Sequence, residues 1–418
     1  MNQNKTLYEF TAACYLSDRQ AGALVVITSS AGNTQVKRLP VAKASGAEAG
    51  LKPVFIGLSE DDRVVLLDPQ SKSILLAQAL PADAFPAHLY TDPSASRGWF
   101  MNDGDKASGN DVLNCGDLGS SVTVVENVDS SAARFLKTIC VGRGHHQCHF
   151  SWPSEQAPEV PRRAWVSNLK DGTVSVVGND PADGDSYLQV VATINLCEAD
   201  KEEGVADKLP NQAFPHGLAY SPWTGKVYNL NNGYGTVAVI DPLTHAIEQR
   251  VPFKGHSNLF ATPDGRYLIG RGADRKSDPR HVIARLSVMD ATTLEITDQI
   301  ELPDIYLSKY FFSPDSAKLY FTAGASGSTE QQANLKTDAV LVFDLGALPK
   351  LVQSRELRLG APSGTLDFVI EQGVPRLVLA STAAAGTVSV IDAERDELVD
   401  TLSLGESRPH SRLWVLRR

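Results

Sequence analysis

Nine histidines are spread through the 418-residue chain. Seven of them, His88, His145, His146, His149, His216, His256 and His410, stand at or just ahead of short apolar runs of strand length, and only His245 and His281 fall elsewhere. His88, His146, His216 and His256 precede the proline of the next turn by five to seven residues, as does Lys309. Neutral imidazole is the commonest biological metal ligand and suits Cu, Zn, Fe and Ni. Histidines gathered without a metal repel one another once protonated, so such a gathering is either a metal site or a hydrogen-bonded polar channel. The sequence leaves both open.

The densest piece is GRGHHQCHFSW, Gly142 to Trp152. On a regular strand His145 and His149 share one face while His146 and Cys148 share the other, so they cannot all meet at one point. The irregular Gly142-Arg143-Gly144 approach could turn both His145 and His146 inward, and Cys148 reads as a buried strand residue. Lys309 holds the position that histidine holds elsewhere; it is a candidate for binding an anionic substrate or donating a proton, with a salt bridge as the bland alternative. Arg143 and Arg271 are candidate anion clamps at the same level. Asp92, Asp103, Asp105 and Asp274 sit where solvated turn roles are the default. No GxSxG elbow, HExxH helix or GxxxxGK loop occurs, so nucleotide cofactors are not indicated.

These residues must be positioned by a repeat. It is most legible from Phe214 to Phe253, where PHGLAYSPWTGKVYNL, NNGYGTVAVIDPLT and HAIEQRVPF parse into four short strands with turn signals between them. Comparable units read VFIGLSEDDRVVLLDPQSKSILLAQAL, WVSNLKDGTVSVV and LVLASTAAAGTVSVIDAERDELVDTLSL. Inner-strand candidates begin near His88, His149, His216, His256, Lys309, Leu366 and His410, at spacings of about 40 to 67 residues. The last has no hairpin after it, and the hairpin at Val54 to Leu67 has no inner strand before it. The C-terminal strand is therefore expected to complete the blade at Val54 to Leu58 and close a ring without free edges. Trp99, Trp165, Tyr228, Tyr267 and Tyr320 recur at the start of second strands and are expected to pack between blades.

With Pro215-His216-Gly217, Ser313-Pro314-Asp315, Thr262-Pro263-Asp264-Gly265 and the GTV segments at Gly172, Gly235 and Gly386, the chain resembles the YVTN-type β-propellers. The resemblance covers residues 50–418 and implies an all-β, seven-bladed propeller closed by the C-terminal strand. Residues 1–49 fall outside it as an N-terminal extension, in which an added hairpin or a partial eighth blade fits Gly22 to Thr28 and Thr34 to Val41. The arrangement of a double histidine leading into an inner strand, with histidines from later blades, is similar to the copper-cluster propellers of the nitrous oxide reductase and thiocyanate dehydrogenase type. It implies copper, with Fe and Zn as alternatives, at His88, His145, His146, His149, His216, His256 and His410, beside Lys309 and Arg143.

Composition bounds the rest. Hydrophobic residues make up 42% and charged residues 21%, with 32 Gly and 23 Pro, a turn-rich globular profile. A net charge of −10 gives no basic stripe for nucleic acid, and no apolar run is long enough to span a bilayer. Residues 1–20 show no basic start followed by an apolar core, so a periplasmic setting would require an export signal upstream. Five cysteines without a CxxC pair are compatible with one disulfide and leave the redox compartment unresolved. The expected function is a copper-dependent oxidoreductase acting on a small molecule in the central channel, with a partner protein for electron transfer. A metal-free propeller serving as a binding subunit or scaffold is the alternative, and a Zn- or Fe-dependent lyase or hydrolase the third reading.

Overall fold

The computed structural model describes residues 9–17, 22–30, 33–40, 46–48, 54–58, 63–68, 73–82, 84, 86–94, 96–104, 115, 119–126, 133–144 and 147–416. Eight four-stranded antiparallel sheets make up the β-propeller. Numbered along the chain, blade 1 holds Phe10–Ser17, Gly22–Ser30 and Asn33–Pro40, with His410–Val415 as its inner strand. Blade 2 is Gly46–Glu48, Val54–Leu58, Arg63–Asp68 and Ser73–Ala79, and blade 3 is Pro86–Thr91, Arg97–Asn102, Ser121–Glu126 and Arg134–Cys140. Blade 4 is Cys148–Ser151, Arg163–Asn168, Thr173–Gly178 and Val190–Asn195, and blade 5 is Pro215–Ser221, Lys226–Asn231, Thr236–Ile240 and Ile247–Pro252. Blade 6 is Asn258–Ala261, Tyr267–Asp274, Ile283–Asp290 and Ile296–Pro303, blade 7 Leu307–Phe312, Lys318–Ala323, Ala339–Asp344 and Val352–Arg358, and blade 8 Leu366–Glu371, Val374–Thr382, Thr387–Asp392 and Glu397–Ser403.

Local chemistry explains the repeat. The third strand Thr173–Gly178 is buried along its whole length, which its unbroken small and β-branched residues permit. The outer strands, such as Ile247–Pro252, face solvent and carry the charges. Between them an aspartate caps the turn: Asp241 Oδ1 accepts the amides of Leu243 and Thr244 at 2.7 and 2.9 Å, and Asp290 and Asp392 repeat the motif. His245 is the left-handed residue of that turn, at φ 61°, in the place of Leu294 and Asp396.

The apolar clusters lie between blades. Trp99 of blade 3 packs edge-on against Phe150 of blade 4 at 5.8 Å, and Trp165 of blade 4 packs with Leu218 and Tyr220 of blade 5. Tyr228 of blade 5 donates to the Ala291 carbonyl of blade 6 at 2.7 Å, and Tyr320 of blade 7 donates to Asp396 of blade 8 at 2.8 Å. These four aromatics behave as expected. Tyr267 does not: it is half-buried at the register of Lys226 and Lys318, and buried Ile269 takes the interface position.

Two sequence expectations are corrected. The repeat gave seven blades where eight sheets are present, because Gly46–Glu48 is a three-residue inner strand without apolar alternation and Phe10–Pro40 lacks the PHG and GTV residues. The C-terminal strand does close on an N-terminal one, but it pairs with Phe10–Ser17, Cys14 opposite Leu413 and Ala13 opposite Trp414. Val54–Leu58 pairs instead with Gly46–Glu48 and Arg63–Asp68.

Removing residues 408–418 strips blade 1 of its inner strand, and chemical denaturation should then show a large loss of stability; a truncated chain with an unchanged midpoint would refute this closure. Trp165→Ala should cost about 3–5 kcal/mol in the same measurement, because it empties a shared interface that neither blade can refill alone.

Candidate functional site

Inner strands begin, second strands end and third strands begin on one face of the propeller. The connections 103–120, 196–214, 275–282 and 324–338 leave from that face, and the opposite one carries 152–162, 179–189 and short turns such as 222–225, 262–266 and 313–317. The disulfide Cys115–Cys140 ties the first of these connections to the end of blade 3, and the three remaining cysteines are buried thiols. At the same level, inner strands carry register shifts between Pro86 and His88, between Pro215 and Leu218, and between Leu307 and Lys309. A bulge interrupts the sheet's alternation, and the one between Pro215 and Leu218 contains His216, which reaches the next blade; His88 and Lys309 follow their bulges and pair with Met101 and Thr322.

The histidines divide. His216 Nδ1 lies 2.7 Å from the Ser257 carbonyl of the next blade. A carbonyl only accepts, so Nδ1 carries the proton and Nε2 holds the lone pair of the neutral ring. His256 is engaged differently: its Nε2 meets Ser287 Oγ at 2.9 Å in the third strand of its own blade, and its ring stacks on Phe253 at 4.0 Å. It is 4% exposed, and burial pushes it down to about 4, so it is neutral at physiological pH. His149 alternates with Cys148 and Phe150, which face blade 3, and therefore faces blade 5; burial pushes it too down to about 4. Burial also raises the Cys148 thiol, as befits a strand residue of the core. His88 is half-buried beside its bulge. His145 and His146 lie outside the described residues, and His410 opens the closing strand opposite Ser17 with its side chain outside them. Among the described residues, no three His, Cys, Asp or Glu side chains converge in a way that could hold a metal ion.

The cations also divide. Arg143 is paired with Asp171, Nε to Oδ1 at 2.7 Å and backbone N to Oδ2 at 2.7 Å, so its charge is already met. Lys309 is half-buried on the inner strand of blade 7, opposite Thr322. Arg271 is buried, donates Nη1 to the Leu307 and Ser308 carbonyls, and has no carboxylate partner among the described residues. Asp92 belongs to the opposite face, in a buried pair with Arg97 at 2.7 Å. Asp103 is buried, Asp105 lies outside the described residues, and Asp274 accepts the amides of its own turn.

The walls of this face contain residues that the sequence did not single out. Glu202, in the long connection 196–214, accepts Lys208 Nζ at 2.7 Å, Tyr234 Oη at 2.6 Å and the Gln212 amide at 2.6 Å. Those hydrogen bonds, that from Lys208 foremost, pull it down to about 2. Glu198 of the same connection accepts Asn231 and Thr236, and so pins it to blade 5. In a polar loop both glutamates read as solvated charge; only the partners of the folded state reveal them as anchors.

No family model matches the sequence, and no curated protein does. Among solved structures, the chain is similar to the dihydro-heme d1 dehydrogenase NirN in complex with DHE, at 12% identity and a TM-score of 0.62 over 100% of this chain and 78% of that one. It is also similar to AztD of Citrobacter koseri, at 12% identity and a TM-score of 0.57 over 97% of this chain and 98% of that one. The periplasmic gluconolactonase PpgL of Pseudomonas aeruginosa aligns at 13% identity and a TM-score of 0.56 over 98% and 100%. At such identities the likeness is one of fold: the chain is a β-propeller.

Glu202 ties acid stability to the loop-bearing face. Its folded value lies below that of the unfolded chain, so its stabilising effect is complete above about pH 4.5 and disappears as pH falls toward about 2. Glu202→Gln should narrow the stability gap between pH 7 and pH 3 and speed proteolysis within 196–214. An unchanged pH profile would remove Glu202 as the anchor.

Proposed function

We propose that the loop-bearing face is a small-molecule site built around a transition-metal ion held by inner-strand histidines, with His216 as its anchoring ligand. The observation that carries this reading is the His216 tautomer: an imidazole that donates Nδ1–H to a backbone carbonyl keeps Nε2 as a ligand, the outer-shell arrangement typical of metal-bound histidine. His88, His410 and one or both of His145 and His146 are the proposed companions, from separate blades at the same end of their strands. His256 and His149 are proposed as supports, since one ring is committed to Ser287 and the other faces blade 5. Among metals, imidazole donors favour Cu, Fe or Zn over Mg or Ca.

Copper follows from the arrangement that the sequence shares with copper-cluster propellers, and the disulfide Cys115–Cys140 suits the oxidising, periplasm-like compartment in which such a site would work. Bound copper or iron would supply one-electron chemistry with a partner protein as donor or acceptor, and zinc would instead supply Lewis acidity for a lyase or hydrolase. The chain's own residues do the rest. Lys309 offers a half-buried cation to an anionic group or a proton to a leaving atom, and Glu198 and Glu202 hold the wall rigid.

The second reading is a metal-free binding propeller. It rests on the structural engagements of His149, His256 and Arg143, each already committed within or between blades.

Metal analysis of untagged protein loaded with Cu, Fe or Zn separates the two. His216→Ala should lose bound metal with Tm little changed, whereas His256→Ala should keep the metal and lower Tm, because it opens a buried space beside Phe253. Wild-type protein that retains no metal after loading would establish the metal-free reading.

A further inference from the structure

At the rim of blade 6, on the loop-bearing face, a cleft of about 470 Å³ is lined by Gly255, Ala273, Asp274, Arg275, Lys276 and Arg285. Its only carboxylate is spent on its own turn: Asp274 Oδ1 accepts the amides of Lys276 and Ser277 at 2.8 and 3.0 Å, and Oδ2 accepts the Ser277 hydroxyl at 2.5 Å. Arg285 is paired through Nη2 and Nε with Glu301 at 2.6 and 3.2 Å, which leaves Nη1 against Gly255, where a Cβ would collide with the guanidinium. Arg275 and Lys276 have no carboxylate partner among the described residues; the Arg275 guanidinium lies 5.5 Å from the centre of the Tyr306 ring. Buried Arg271, on the same strand, is likewise unmatched by any described carboxylate. The lining thus sets Arg275, Lys276 and Arg285 against one ionised carboxylate, Asp274, with Arg285 also facing Glu301, in a chain of net charge −10.

The loop that carries them is held in place. Gln331, buried in the short helix Thr329–Asn334 of blade 7, donates Nε2 to the carbonyls of Arg275, Asp278 and His281 at 3.1, 2.9 and 3.3 Å. Asn334 adds a bond to the Arg280 carbonyl at 3.0 Å. Cations on a loop already ordered by such contacts lose little further freedom when an anion arrives, so their attraction is not offset by the ordering of a floppy segment. The volume is that of a metabolite site.

We propose that this cleft binds a small organic anion, which presents a carboxylate or phosphate group to Arg275, Lys276 and the inner edge of Arg285. The site is separate from the hub histidines and needs no metal there. Calorimetric titration of the full chain at low ionic strength, with inorganic phosphate and with succinate as probes, tests it. Saturable binding of at least one probe is expected, about tenfold weaker or more in Arg275→Ala/Lys276→Ala. Removal of two cations from the opposite face, in Arg376→Ala/Arg395→Ala, should leave it unchanged, and so should His216→Ala, which distinguishes the cleft from the metal site. Binding of phosphate alone assigns a phosphorylated ligand, and binding of succinate alone a carboxylic acid. Neither probe binding saturably, or the Arg275/Lys276 variant binding like wild type, would overturn the proposal.

Discussion

A four-stranded sheet of this chain has apolar side chains on both faces of its second and third strands, and only neighbouring sheets can cover them. Every apolar cluster among the described residues accordingly bridges two adjacent blades, from Val64 and Leu66 against Phe100 round to Leu379 and Val390 against Cys14 and Leu413. Stability is therefore a property of the ring rather than of any blade. That is why the closing strand His410–Val415 sits where an N-terminal and a C-terminal part of the chain meet. A sheet left open there would also expose the edge of Phe10–Ser17.

The same constraint makes one face available for chemistry. The interfaces consume the alternating side chains of each strand, so residues that serve another purpose must sit where alternation fails. The bulge between Pro215 and Leu218 provides such a place for His216, and the connections 196–214 and 275–282 form walls on the same face. These walls are stiffened by groups with full hydrogen-bonding demands, Glu202 with three donors and Gln331 with three carbonyls. Buried polar groups satisfied to this degree specify one geometry, because any other leaves them desolvated and unpaired.

What the sequence made legible follows from which physical signals are local. Alternation, the aspartate turn and the PHG and GTV segments are local, so blades 3 to 8 and the level of their histidines could be read directly. Three strands of blade 2 were read at Val54 to Leu80, but its inner strand was missed because three residues, Gly46–Glu48, suffice when the neighbouring strand supplies the pairing, and blade 1 fell outside the repeat because Phe10–Pro40 lacks the PHG and GTV residues. Tyr267 was misplaced because an aromatic two residues early in DGRYLIG resembles the aromatic of GKVYNL, and only the strand register shows Ile269 in the interface. The roles of Glu198 and Gln331 were invisible because their partners are distant in the chain, and Glu202 joins the nearby Lys208 and Gln212 to the distant Tyr234 inside a loop with no periodic pattern. His245, which the sequence set apart from the inner strands, proves to be a turn residue.

The divergence between His216 and His256 has a covalent origin that can be traced. His216 is the second residue of its inner strand and His256 stands two residues ahead of its own, and the second strand facing His256 reads Ile-Gly-Arg-Gly, where glycine at 270 leaves the space that the ring fills. A Cβ on Gly270 would press on both the Phe253 ring and the His256 Cδ2, while one on Gly272 would meet the Gly255 carbonyl. His256 can therefore fold back over its own sheet, stack on Phe253 and reach Ser287. In blade 5 the positions of Gly270 and Gly272 are held by Asn229 and Asn231, and His216 bonds across to the Ser257 carbonyl instead. Neighbouring blades thus yield a buried support and a ring with a fixed tautomer, from histidines one residue apart in register and with glycines on the adjacent strand of one blade only.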